Sequence, residues 1–185
     1  SFNHVRAVLQ ALVEYTKRYS VNIKRIIYLE NWHDAVLGRT LSKLLGMPAE
    51  EANGDNLVQP EQLIVAADNS SYNGEQDILQ AAPSQVLFSF MTDWQRPAML
   101  CPDITGVLAN TYQFPWQEPK ATRYPLEESH PQLDVLVDRL LAAKPPYIPK
   151  LSSLYQEEDD LLPGKESARG ERPIFRIESP VSEVA

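Results

Sequence analysis

Three short apolar runs each break off into a cluster of small polar and acidic residues. They are Ile23 to Leu29, Gln62 to Ala67 and Gln85 to Met91. Each is too short for a buried helix and rich in β-branched or aromatic side chains, which pack well on a pleated surface. None alternates polar with apolar, so each reads as a strand covered on both faces, the mark of a parallel sheet. Helical periodicity lies between and around them. Val5, Val8, Leu9, Leu12 and Val13 recur at i, i+3, i+4, i+7 and i+8, which predicts an amphipathic helix ending near Tyr19.

A second helix follows the first run. Asn31 suits its N-cap, and Asp34 sits in the first turn, where the helix dipole favours negative charge. Leu37, Leu41, Leu44 and Leu45 form its apolar face, Gly46 closes it, and Pro48 prevents continuation. A short helix is expected from Glu75 to Ala82. Pro83 and Ser84 precede the third strand. The stretch "AMLCPDITGVLANTYQFPW" holds one or two more strands, broken at Pro102 and Gly106. Leu133, Leu136, Val137, Leu140 and Leu141 define a last helix, with Pro131 in its first turn and Pro145-Pro146 ending it.

Strands alternating with helices at this spacing predict a three-layer, Rossmann-like α/β domain with a mostly parallel sheet of four or five strands. This domain is expected to span residues 1–144. Residues 145–185 read as an extended, Pro-rich acidic tail, packed on its own domain or on a partner. Within the tail "IFRIE", Ile174 to Glu178, alternates well enough to add as an edge strand. The chain begins at Ser1 without a methionine, so processing, or excision from a larger protein, is expected.

Composition narrows the function classes. A net charge of −8 repels nucleic-acid phosphates and anionic membranes, so neither partner is expected. One cysteine, Cys101, permits no internal disulfide, and with three histidines it builds no Cys-rich zinc site. A reducing, cytoplasmic setting follows as the expectation. Cys101 itself, between Leu100 and Pro102, reads as a buried inert thiol.

Ligands of an open parallel sheet bind beyond the carboxyl ends of its strands. The first end delivers Glu30, Asn31, His33 and Asp34, the second Asp68, Asn69, Ser70 and Ser71, and the third Thr92, Asp93 and Trp94. Glu30, His33, Asp68 and Asp93 are the candidate catalytic residues. His33 could act as general acid or base, and the three acids could share a Mg²⁺ ion. Asn69, Ser70, Ser71 and Thr92 are candidate ligand-binding residues through their hydroxyls and amide. Against an enzyme stands the absence of G-x-G-x-x-G, Walker and G-x-S-x-G patterns. The chain has only seven glycines, and the turns after the first and third strands contain none. Phosphate loops need glycine for close backbone approach.

Three stretches resemble type I phosphoribosyltransferases, over roughly Ile23 to Trp116. "IIYLENWHDAVLGRTLSKLLGMP" matches that family's strand, polar loop and helix. "LIVAADNSSYNG" stands where the family has a strand ending in an acidic pair and a Thr-Gly turn for the ribose phosphate. Phe114-Pro115-Trp116 is similar to a late aromatic segment of some members. The first acid of the pair is Ala67 here, leaving Asp68, and Tyr72-Asn73-Gly74 replaces the Thr-Gly turn. The resemblance therefore implies a fold relative without the activity.

The alternative to an enzyme is a binding module. Trp94, Tyr112, Phe114 and Trp116 lie in polar or proline-broken segments, where aromatic residues anchor interfaces. The leading expectation is a non-catalytic interaction or regulatory module with no cofactor, working with a protein partner or by self-association. The second is a Mg²⁺-dependent transferase or hydrolase acting on a phosphorylated small molecule or nucleotide.

Overall fold

The computed structural model describes residues 1–93, 95, 100–117, 130–148 and 170–171. Helix α1 (Phe2–Arg18) leads into strand β1 (Arg25–Tyr28), helix α2 (Trp32–Leu45) and strand β2 (Ala49–Glu51). Strand β3 (Gln62–Asp68) continues into two 3₁₀ turns, Asn69–Gly74 and Gln76–Leu79, and a two-residue strand β4 (Gln80–Ala81). Strands β5 (Val86–Thr92) and β6 (Ile104–Leu108), helix α3 (His130–Ala142) and strand β7 (Gly170–Glu171) complete the order.

The main sheet has five strands in the order β2-β1-β3-β5-β6, every pairing parallel. The three-layer α/β architecture expected from the sequence is present. Helices α1, α2 and α3 pack on one face, over Ile26, Tyr28, Leu63, Val65, Val86, Phe88, Phe90 and Ile104. The other face is covered by the 3₁₀ turns and the loop after β2, which bring Tyr72, Ile78, Ala52 and Leu57 onto Ile27, Ile64, Ala66 and Leu87. Central strands β3 and β5 are buried almost throughout, which is why their sequences are continuous apolar runs.

Strand β2 has no apolar run to announce it. Glu50 and Glu51 are exposed, and the strand exists because the β1 edge offers backbone partners, Ile26 opposite Ala49 and Tyr28 opposite Glu51. Beyond β5 the described residues hold one further strand of the main sheet, β6.

The helix expected from Glu75 to Ala82 is corrected: this stretch forms a 3₁₀ turn and then β4. Eight residues make a marginal helix, and Pro83 pushes Ala82 away from helical geometry. The preceding turn is held instead by Tyr72, whose hydroxyl donates to Phe88 O at 2.7 Å beneath the sheet. Strand β4 pairs antiparallel with β7, so Gly170 and Glu171 lie against Ala81 and Gln80. The expected edge strand Ile174 to Glu178 lies outside the described residues, as does most of the tail. Among the described residues no helix is long and apolar enough to cross a membrane.

Two glycines set how closely the helices sit. A Cβ on Gly38 of α2 would stand 2.7 Å from Tyr28 Cβ on β1, and one on Gly106 of β6 would stand 2.6 Å from Val8 Cγ1 on α1.

Candidate functional site

The strand order reverses between β1 and β3. The chain goes outward from β1 to β2, then crosses back to lay β3 on the other side of β1. In open parallel sheets such a reversal leaves a crevice beyond the strand ends, where ligands bind. Strand β1 stops at Tyr28, opposite Val65, while β3 runs on to Asp68. Ala67 N–H therefore has no residue of β1 to bond. Leu29 O, the next acceptor along β1, is taken by Asn31 N at 2.8 Å.

Asp34 fills this gap. Its side chain is wholly buried, and its carboxyl accepts a hydrogen bond from Ala67 N and another from Asn31 Nδ2. Asn31 Oδ1 caps α2 by accepting from Asp34 N at 3.0 Å, and Asn31 Nδ2 also lies 3.3 Å from Ser71 Oγ. The loops after β1 and β3 are thus joined across the reversal. Burial pushes the Asp34 carboxyl well above the usual carboxylate range. The Ala67 N–H opposes this, and the nearby charge of Asp68 adds to it. A second bridge joins β3 to β5: Asn69 Oδ1 accepts from Asp93 N at 3.1 Å. That bond fixes the amide's orientation and leaves Asn69 Nδ2 buried without a hydrogen-bond partner.

The three polar ends do converge on one edge. Asp68 is half-buried, and its Oδ1 accepts from Ser70 N at 2.7 Å; Ser70 is exposed and Ser71 half-buried. Asp93 is 2% exposed and accepts from Gln95 N, while the buried Thr92 hydroxyl lies 3.0 Å from Thr105 Oγ1. Glu30 is exposed and close enough to Glu75 to help raise the Glu75 carboxyl, after burial and with Asp77. Glu30, Asp68 and Asp93 do not assemble as one group: among the described residues no three His, Cys, Asp or Glu side chains are placed to hold a metal ion.

His33 lies against a layer of aromatic rings. Trp116 Nε1 donates to His33 Nδ1 at 2.9 Å, and the Phe114 ring stacks on the imidazole at 4.9 Å. Phe114 is buried, and Tyr112 and Trp116 are half-buried. Tyr112 and Phe114 both meet Phe90 at 5.1 Å, and Trp116 meets Phe2 at 5.9 Å. The Tyr112 hydroxyl lies 2.9 Å from His4 Nδ1. Burial holds both histidines below their ordinary pKa, with the amino terminus adding to the effect at His4, and pushes the Tyr112 phenol up to about 12. Trp94 lies outside the described residues. Cys101 is half-buried, and burial with the Asp103 charge pushes its thiol up, away from nucleophilic use.

Two participants exceed what sequence reasoning assigned them. Asp34 was expected only to complement the helix dipole, yet it shares the i, i+3, i+7 stripe of Leu37 and Leu41. An acid on the apolar face of a helix is the signal that it has a buried partner. His4 is exposed near the start of α1, and nothing in its sequence surroundings signals its bond to Tyr112.

No protein-family model, curated protein or solved structure matches this chain.

Proposed function

We propose that this chain is a non-catalytic interaction module. The observation that carries the reading is the closure of the strand-order reversal by Asp34, Asn31 and Ser71. An enzyme of this architecture needs that crevice for substrate, and here the chain's own side chains use its hydrogen-bonding groups. His33 supports the reading, since its Nδ1 is committed to an indole N–H and its ring lies under Phe114. The partner is a protein or a second copy of the chain. The surface that fits it best runs from Leu108, 71% exposed at the end of edge strand β6, into the half-buried rings of Tyr112 and Trp116.

The second reading is a small-molecule site at the same edge, as in a degenerate phosphoribosyltransferase relative using Mg²⁺. One observation favours it: the buried, unpartnered Nδ2 of Asn69 beside Asp68. Thermal unfolding with a panel of nucleotides and sugar phosphates, with and without Mg²⁺, separates the two. A ligand bound to the native state at a hundred times its Kd stabilises by about 2.7 kcal/mol, a shift of several degrees. The module reading expects no shift. A shift that disappears in Asp68→Ala overturns it.

A further inference from the structure

The segment from Tyr112 to Trp116 is held at two points, and the two holds differ in kind. At one end Trp116 Nε1 bonds His33 Nδ1 at 2.9 Å; at the other the Tyr112 hydroxyl bonds His4 Nδ1 at 2.9 Å. An indole N–H donates and never accepts. His33 Nδ1 must therefore be bare, and the ring is the neutral tautomer with its proton on Nε2. A proton added to Nδ1 would face the indole N–H donor to donor, and the bond would be lost. The Tyr112 hydroxyl both donates and accepts, so it can turn to accept from a protonated His4. Only the His33 hold is broken by acid.

We propose that residues 112–116 are an acid-released strap: protonation of His33 breaks its bond to Trp116 and frees that end of the segment from the aromatic layer over Phe90.

The surroundings favour the closed state at neutral pH. Stacked Phe114 and nearby Trp116 shield the imidazole from water, and His33 sits in the first turn of α2, where the helix dipole opposes positive charge. Among the described residues, the following charged groups lie on the elements around the segment. On α2 itself, Asp34 directs its carboxyl to Ala67 N, and Glu30 just before the helix is exposed. Helix α1 brings the amino terminus, His4 and, one turn on from Phe2, the half-buried Arg6. Helix α3 brings Arg139, whose guanidinium lies 4.1 Å from the Phe2 ring next to Trp116. The strap brings the Tyr112 phenol. The acids among these are Glu30, which is exposed, and Asp34, which burial holds toward its neutral form. Loss of the bond leaves the strap with its internal hydrogen bonds, Gln117 N to Phe114 O at 3.0 Å and Phe114 N to Gln117 Oε1 at 3.3 Å, so it moves as a unit.

This inference concerns the strap's own equilibrium and stands whether or not a partner binds the surface. The test is NMR on the full chain between about pH 7.5 and pH 5, a window that spans the ordinary histidine range. The Trp116 indole signal, assigned from Trp116→Phe, is followed together with the His33 ring. The indole signal is expected to move with the His33 midpoint. Protection of the Trp116 indole N–H, corrected for the intrinsic pH dependence of exchange, is expected to fall about fivefold to tenfold, the loss of its one hydrogen bond. His33→Asn keeps an acceptor near the Nδ1 position and does not titrate, so its strap should stay closed across the range. Trp116→Phe keeps a ring and removes the donor, so the His33 midpoint should rise. The proposal is overturned if His33 titrates while the indole signal stays still. It is also overturned if His33→Asn opens like the parent, if the midpoint is unchanged in Trp116→Phe, or if His33 stays neutral until the chain unfolds.

Discussion

The carboxyl group of Asp34, in the first turn of α2, accepts the backbone N–H of Ala67, near the end of β3 and 33 residues away. It stands where the next residue of β1 would have bonded, had β1 continued. One helix side chain thus ends the β1–β3 ladder and ties the start of α2 to β3 at the strand-order reversal.

Removing that group exposes its value. Asp34→Ala leaves Ala67 N–H buried without its acceptor and takes one of two acceptors from the half-buried Asn31 Nδ2, and should cost about 3 kcal/mol in chemical denaturation. Exchanging the two side chains, Asn31→Asp with Asp34→Asn, preserves the pattern. The carboxamide then at position 34 accepts from Ala67 N through its carbonyl, and its amide donates to the carboxylate then at position 31. The double variant should recover more than half of the stability lost in Asp34→Ala. Recovery of none would show that the pattern of donors and acceptors is unimportant.

Two groups give pH slopes of opposite sign. The Asp34 pKa is raised in the fold, so its contribution is full below the ordinary value of 3.8 and is lost as pH rises through the folded value. Stability of Asp34→Asn relative to the parent should therefore grow as pH rises from 3.8 to the folded value and level off above it. The His33 pKa is lowered, so its contribution is full above the ordinary value of 6.5 and is lost as pH falls through the folded value. His33→Asn should remove that acid-side loss. Denaturation midpoints across the pH range measure both, and a parallel pair of curves for parent and Asp34→Asn would contradict the first.

Gly38→Ala offers a case where helix propensity and packing disagree. Alanine gains up to about 1 kcal/mol in a helix interior. The new methyl would meet Tyr28 Cβ at 2.7 Å, and α2 cannot withdraw without disturbing the Asp34 contact. Overpacking of this kind costs about 1–3 kcal/mol, so the net effect should be destabilising. A calorimetric Tm at or above the parent's would show that α2 has room to move.

Tyr72→Phe tests the face covered by 3₁₀ turns. The hydroxyl is fully buried and bonds Phe88 O at 2.7 Å. Its loss should cost about 1–2 kcal/mol, measured as a lower denaturation midpoint with unchanged slope.

How much of this was legible in sequence depends on where each partner lies. Strands β1, β3 and β5 announced themselves because central parallel strands are buried on both faces. Strand β2 did not, because Glu50 and Glu51 pair through backbone alone. The stretch after Tyr72 carried helix-forming residues but no helix, because local propensity gave way to the buried tyrosine and Pro83. The Asn31 cap and the convergence of the three polar ends followed from local rules and topology. The bond from Trp116 to His33 spans 83 residues, and no pattern within either segment reports it.

The measurement closest to the central claim is hydrogen exchange of the Ala67 amide in the native chain. Ala67 lies beyond the last residue of β1, so its protection depends on Asp34. With the edge closed, Ala67 should exchange only through global unfolding, as slowly as the central Val65 and Phe88 amides. Exchange of Ala67 orders of magnitude faster than those two would mean that the crevice is open to solvent, and would contradict the account.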